Sequence, residues 1–136
     1  MDYEKLLQVR NKYNSFAREL EILVTEIGPG YAKGVKTVRE VEENHAGVPH
    51  GGVYFSLADT VCGAAAASRG YHCLTVSCGY NFLRSAAPGD VISAEAREVK
   101  GGRVICVYDV RVTGRDGVLL GNGSFTFFRL ERKIDL

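Results

Sequence analysis

Residues 51–67, GGVYFSLADTVCGAAAA, form the longest apolar stretch of the chain and carry one formally charged side chain, Asp59. The segment reads as a single helix over 51–68 with apolar or small residues on nearly every face. A helix of that kind must be buried, and one sheet face covers only part of it. The remainder points to a partner subunit. Asp59 is the anomaly: aspartate competes for backbone hydrogen bonds inside helices, and an ionised carboxylate buried without partners is costly. Position 59 therefore calls for a structural partner or a chemical task.

The chain of 136 residues is of single-domain size, read as one domain over 1–136. Its 46% hydrophobic and 24% charged residues are those of an ordinary globular protein. A formal net charge of +1 makes no case for nucleic acid or an anionic membrane as partner. The apolar stretch is too short and too interrupted to span a bilayer. The opening MDYEKLLQVRNKY lacks the apolar core and cleavage site of a secretory signal, so a cytoplasmic location is expected. Cys62, Cys73, Cys78 and Cys106 show no CxxC pair, and three of them lie in apolar surroundings that suit free thiols. His45, His50 and His72 do not join them at zinc-site spacing, so neither a metal nor a separate cofactor is expected.

Around the central segment, residues 1–18 read as an amphipathic helix with Leu6, Leu7, Val9, Tyr13 and Phe16 on its apolar side. LEILVTEIGPG and YAKGVKTVRE read as two strands about a Gly-Pro-Gly turn, and VEENHAGVPHGG as a loop. Four strands follow the helix: CLTVSCGYNFL, VISAEAREV, VICVYDVRV and VLLGNGSFTFFRL. In the third of these, Cys106, Tyr108, Val110 and Val112 alternate with Val107, Asp109 and Arg111, a period of two that sends Asp109 and Arg111 to solvent. The order predicts an α+β fold, an antiparallel sheet of five to six strands wrapped around one long central helix.

Just before the helix stand Asn44, Gly47, His50, Gly51 and Gly52. Adjacent glycines let another molecule approach the backbone. The first amides of a helix are unpaired and carry the positive end of its dipole, which suits a developing oxyanion. Taken alone, HGG also fits a plain helix-entry turn.

The pattern N-x-x-G-x-x-H-G-G-x-x-x-x-L-x-D, Asn44 to Asp59, resembles the signature of the hotdog-fold acyl-CoA thioesterases of the phenylacetate-pathway (PaaI-like) type. NFLRSAAPGD and the hairpin GGRVICVYDVRV…DGVLLGNGSFTF resemble the strands that follow, so the likeness covers roughly 20–129. It implies Asp59 as catalytic nucleophile or general base, and the Gly51 amide as oxyanion donor. It also implies Asn44 near the thioester or its water, His50 as the neighbouring loop histidine, and Thr75 as the hydroxyl orienting the carboxylate or water. Ser85 departs from the proline common in the family. The implied substrate is an acyl- or aryl-CoA, with CoA entering only as part of substrate and product.

Gly51 and Asp59 are eight residues apart, about 12 Å of helical rise. A nucleophile and its oxyanion donor must converge on one carbon within roughly 3–3.5 Å. Two antiparallel copies of the helix achieve this and one copy does not. A homodimer with two composite sites is therefore expected; in the family such dimers often pair into tetramers. Gly52, Tyr54, Phe55, Tyr80 and Phe82 are candidates to line the acyl pocket, though aromatic residues also serve as plain core. Arg84, with Lys100 and Arg103, is a candidate for the CoA phosphates or a solvated surface charge. Two other functions use the same fold: a hydratase or dehydratase, whose histidine and carboxylate are placed differently from His50 and Asp59, and a non-catalytic acyl-CoA-binding module, which would not need Asp59.

Overall fold

The computed structural model describes all residues, 1–136. The N-terminal segment forms two helices rather than one, α1 (Tyr3–Tyr13) and α2 (Ser15–Glu19). Asn14 divides them. It ends α1, and its side-chain oxygen accepts from the Ala17 N–H at 3.1 Å to start α2. Leu6 is buried, whereas Tyr13 and Phe16, expected on the same apolar side, stand exposed because the chain turns at Asn14. Asn11 fixes α1 to the sheet, donating to the Val24 carbonyl and accepting from its N–H at 2.8 and 3.0 Å.

Six strands form one antiparallel sheet: β1 (Ile22–Gly28), β2 (Tyr31–Thr37), β3 (Tyr71–Phe82), β4 (Val91–Gly101), β5 (Ile105–Thr113) and β6 (Leu119–Lys133). Their spatial order is β1-β2-β4-β5-β6-β3, which leaves β1 and β3 as edges. The loop expected over 41–52 begins with a short 3-10 turn, Glu40–Glu42. The alternation read in β5 is observed: Cys106, Tyr108, Val110 and Val112 face the core while Asp109 and Arg111 are exposed.

The central helix, α3 (Gly51–Ala67), lies across the sheet as expected. Small residues on β2 and β4 let it approach: Ala32, Ala94 and Ala96 are buried beneath it. At Gly34 an added Cβ would stand 2.6 Å from a Val61 methyl and 3.1 Å from the Leu23 carbonyl. At its far end, Ser68 Oγ accepts from the Gly30 N–H at 2.8 Å, tying α3 to the β1–β2 turn. Arg69 forms a two-point ion pair with Glu98 on β4, whose carboxylate also accepts from Tyr108 Oη.

The expectation of a surplus apolar face on α3 is corrected. The chain's own sheet buries the aliphatic positions completely, Leu57, Ala58, Val61, Cys62, Ala64 and Ala65 among them. Beyond Gly51 and Gly52 at its start, the half-buried positions are Phe55, Ser56, Asp59, Thr60 and Gly63, which recur at helical spacing as one stripe. That open stripe is mainly small and polar, with Asp59 at its centre. Exposed large apolar side chains instead include Leu74, Val76, Phe82 and Leu83, on edge strand β3 and just after it. Of the four free cysteines, Cys62 and Cys106 are buried, Cys73 is half-buried and Cys78 is exposed, so the apolar setting expected for three holds fully for two. No helix is long and apolar enough to cross a membrane.

Candidate active site

Asp59 projects from the open stripe of α3 toward edge strand β3, where Thr75 Oγ1 donates to its Oδ1 at 2.7 Å. That hydroxyl is the carboxylate's one hydrogen-bond partner in the chain, which leaves Oδ2 unengaged. The pair joined by sequence reasoning across sixteen residues is thus a direct contact.

The other candidates gather at the helix start. His50 caps α3: its Nδ1 accepts from the Gly52 N–H at 2.8 Å, so Nδ1 is unprotonated and Nε2 carries the neutral ring's proton. The Gly51 N–H, one position earlier, has no acceptor within the chain. Asn44 organises the loop, with Oδ1 accepting from Ala46 and Val48 N–H groups at 2.9 and 3.3 Å. Its amide nitrogen stays available as a donor. The structure therefore pairs Asp59 with Thr75 and places Gly51 beside His50 at the helix start, with Asn44 in the loop that leads there. Within one chain, about two turns of α3 separate Asp59 from Gly51.

The aromatic candidates divide. Phe82 lies against Gly51, where an added Cβ would come within 3.1 Å of its ring, and Tyr80 meets Phe82 edge-on at 4.8 Å. Phe55 packs on Phe125 at 5.5 Å beside the open stripe. Tyr54 is core: its hydroxyl accepts from the Ala86 N–H at 2.9 Å. Tyr80 Oη is buried without a partner, and that burial pushes its phenol pKa up. Gly52 serves the His50 cap, with room for no more than hydrogen toward that ring. Arg84 is exposed two residues beyond Phe82, at the helix-start end of β3. Lys100 and Arg103 lie at the opposite end of the sheet, beside the residues that pair with the start of β3.

Two further features had escaped the sequence reading. Lys36 is fully buried and pairs with Glu42 at 2.8 Å, their side chains 0% and 7% exposed. Lys36 also donates to the Leu20 carbonyl, and Glu42 takes Arg39 Nη2 at 3.0 Å and the Arg39 N–H at 2.8 Å. The Glu42 carbonyl then accepts from the His50 N–H at 2.8 Å, so this network holds the loop that enters α3. The period of two offered a signal, since Ala32, Gly34 and Lys36 share the inward face of β2. The second feature is Arg10 on α1, one of whose terminal nitrogens would stand 3.1 Å from a Cβ placed on Gly63. In the sequence it looks like any charge on an amphipathic helix.

A sheet wrapped on a central helix, with a carboxylate in the helix middle and a glycine amide at its start, defines a class. The chain belongs to the thioesterase superfamily, whose family model matches residues 46–120. It is PaaI-like: it is 32% identical to the acyl-coenzyme A thioesterase PaaI of Escherichia coli over 99 residues, 73% of this chain and 71% of that protein. The solved structure of E. coli PaaI, from the phenylacetic acid degradation operon, superposes with a TM-score of 0.92 at 26% identity. That match covers 97% of this chain and 96% of the other, and makes the fold a hotdog. A hypothetical thioesterase of Streptococcus pneumoniae solved with coenzyme A matches with a TM-score of 0.79 at 26% identity, covering 83% and 88% of the two chains. Alanine mutants of that protein have been solved at an aspartate and at a threonine with the separation of Asp59 and Thr75 (TM-scores 0.76 and 0.75, both 27% identical). They cover 79% of this chain and 89% and 88% of theirs.

Proposed function

We propose that the protein hydrolyses acyl-CoA thioesters to a free acid and CoA, with Asp59 as the reacting carboxylate. The observation that carries this reading is the Asp59–Thr75 contact on the only open stripe of the central helix, in a PaaI-like chain. Thr75 fixes one carboxylate oxygen and leaves the other free toward the substrate. That oxygen either attacks the thioester carbon or takes a proton from the attacking water. The carbonyl oxygen, turning into an oxyanion, is received by the unpaired Gly51 N–H at the positive end of α3. Collapse of the adduct breaks the C–S bond. With Asp59 as base, the proton it took passes to the CoA sulfur as the free acid forms. With Asp59 as nucleophile, water then opens the acyl–Asp59 anhydride and supplies that proton. Asn44 offers its free amide nitrogen beside the carbonyl or the water, and His50 fixes the helix start.

The rise between Gly51 and Asp59 requires two subunits, the carboxylate of one facing the amide of the other. Edge strand β3, with unpaired backbone groups along one side and exposed Leu74 and Val76, supplies the surface for that pairing. A further pairing of dimers belongs to the same proposal, as does a cytoplasmic setting. Arg84 is the basic residue best placed for the CoA phosphates, since Phe82 puts its strand end against Gly51.

The test is release of free CoA thiol from phenylacetyl-, benzoyl-, hexanoyl- and palmitoyl-CoA by wild type and Asp59→Asn. Turnover of at least one ester that Asp59→Asn loses, while remaining folded, supports the reading. Binding of CoA esters with no hydrolysis by wild type would instead make this an acyl-CoA-binding module.

A further inference from the structure

Arg10 is an unsatisfied cation. Its Nε is sealed from solvent without a hydrogen-bond partner. None of its nitrogens donates to any group in the chain, and no carboxylate lies within ion-pair distance. The Nε atoms of Arg39 and Arg129 are likewise sealed without a hydrogen bond, but the charges of the other enclosed cations are met. Lys36 and Arg39 share Glu42, Arg69 clasps Glu98, and Arg129 lies over the Tyr71 ring at 5.2 Å. Of the five N–H donors of this guanidinium, the one on Nε is enclosed and unmatched, which is costly, while the terminal nitrogens of the half-buried side chain have no partner within the chain.

Its location is specific. Gly63 is one helical turn beyond Asp59 on the open stripe, and its missing side chain is what admits the guanidinium. Burial is the largest influence on Arg10 and lowers its pKa, while Cys73 and then Asp59 act in the opposite sense. Its outer flank borders a cleft of about 220 Å³ between α1, β3 and the C-terminal segment, lined by Leu6, Val9, His72 and Ile134. No acid stands there: His72 has a lowered pKa from burial first and then from Arg132 and Arg10 themselves. The one nearby carboxylate, Asp59, is engaged by Thr75.

Resting on the thioesterase reading, we infer that Arg10 selects the acyl group: it binds an anionic oxygen, a carboxylate, at the far end of the acyl chain while Asp59 acts on the thioester. The one-turn offset from Asp59 to Gly63 is about 6 Å, roughly the span of a five- or six-carbon dicarboxylyl group. A planar guanidinium receives a carboxylate through two parallel hydrogen bonds.

The experiment compares kcat/KM for glutaryl-CoA against pentanoyl-CoA and for adipyl-CoA against hexanoyl-CoA, pairs that differ only in a terminal carboxylate. Wild type is expected to favour at least one dicarboxylyl ester by roughly 10- to 100-fold. Arg10→Met should bring that ratio to one or below, and Arg10→Lys, keeping a point charge, should retain part of it. A wild-type ratio at or below one in both pairs overturns the inference. So does a ratio that Arg10→Met leaves intact, or a change confined to the dimer's dissociation constant. Should Arg10→Met not fold, the wild-type ratio and Arg10→Lys decide. Wild-type hydrolysis of the pentanoyl, hexanoyl or phenylacetyl ester without discrimination defeats this inference alone, whereas hydrolysis of no ester defeats the thioesterase reading itself.

Discussion

At position 59 the cost of a carboxylate inside an apolar helix is met locally by one hydroxyl, Thr75 Oγ1 at 2.7 Å, and by an opening on the helix surface. Two predictions belong to this contact. Asp59→Asn keeps the shape and removes the charge, so kcat should fall by about 10³ to 10⁴ with a circular dichroism spectrum unchanged. Thr75→Val leaves the carboxylate in place but unpositioned; the lost hydrogen bond predicts a smaller fall, roughly 10- to 100-fold, read as kcat with KM nearly constant. Gly51 allows a cleaner experiment. It is the first helical residue, where proline is well tolerated, and His50 before it has the extended backbone that precedes proline comfortably (φ −58°, ψ 142°). Gly51→Pro therefore deletes the proposed oxyanion donor with the helix retained, once the Phe82 ring yields a few tenths of an ångström. Its kcat should drop by about 10² to 10³.

Among the elements, the sheet was legible because its strands alternate and are punctuated by GPG, KGG and RDG turns, and the helix because its apolar run is long. What the sequence hid has physical causes. Asn14 is an ordinary polar residue until its side chain is seen closing the first turn of α2. The open stripe of α3 was invisible because Ser56, Thr60 and Gly63 are small enough to pass for buried positions. Lys36 was hidden by the assumption that a lysine in a strand faces water. Its partner Glu42 also governs behaviour in acid. Burial alone pushes the Glu42 carboxyl up, but hydrogen bonds from Lys36 and Arg39 overcome it and hold the pKa below the usual value. Glu98 is lowered too, by Arg69 first. Depressed folded values mean stabilisation that is present above the unfolded glutamate pKa of about 4.3 and lost as pH falls through the lower folded values. The melting temperature should therefore decline below about pH 4, and Glu42→Gln should flatten that decline while costing about 3 kcal/mol at neutral pH, since it strands a buried lysine. A decline of the same steepness in Glu42→Gln would remove Glu42 from the account. Gly34→Ala, driving a methyl into Val61 and the Leu23 carbonyl, should cost about 1–3 kcal/mol in denaturant titration.

For the whole molecule, the proposed site needs both the Asp59–Thr75 pair and the Gly51 helix start, which one chain holds about two turns of α3 apart and which the proposed pairing of chains would bring together. The exposed apolar edge of β3 and the separation of Gly51 from Asp59 are the two independent observations behind the proposed dimer. The most direct measurement is complementation between Asp59→Asn and Gly51→Pro, each nearly inactive alone. Unfolded together and refolded as an equal mixture, they form mixed dimers in which one site carries both defects and the other carries neither. Random pairing makes half of the dimers mixed, so CoA release should recover to about a quarter of the wild-type rate per site. An inactive mixture, with mixed dimers verified by mass, would mean that Asp59 and Gly51 do not meet across the interface, and would contradict the composite site.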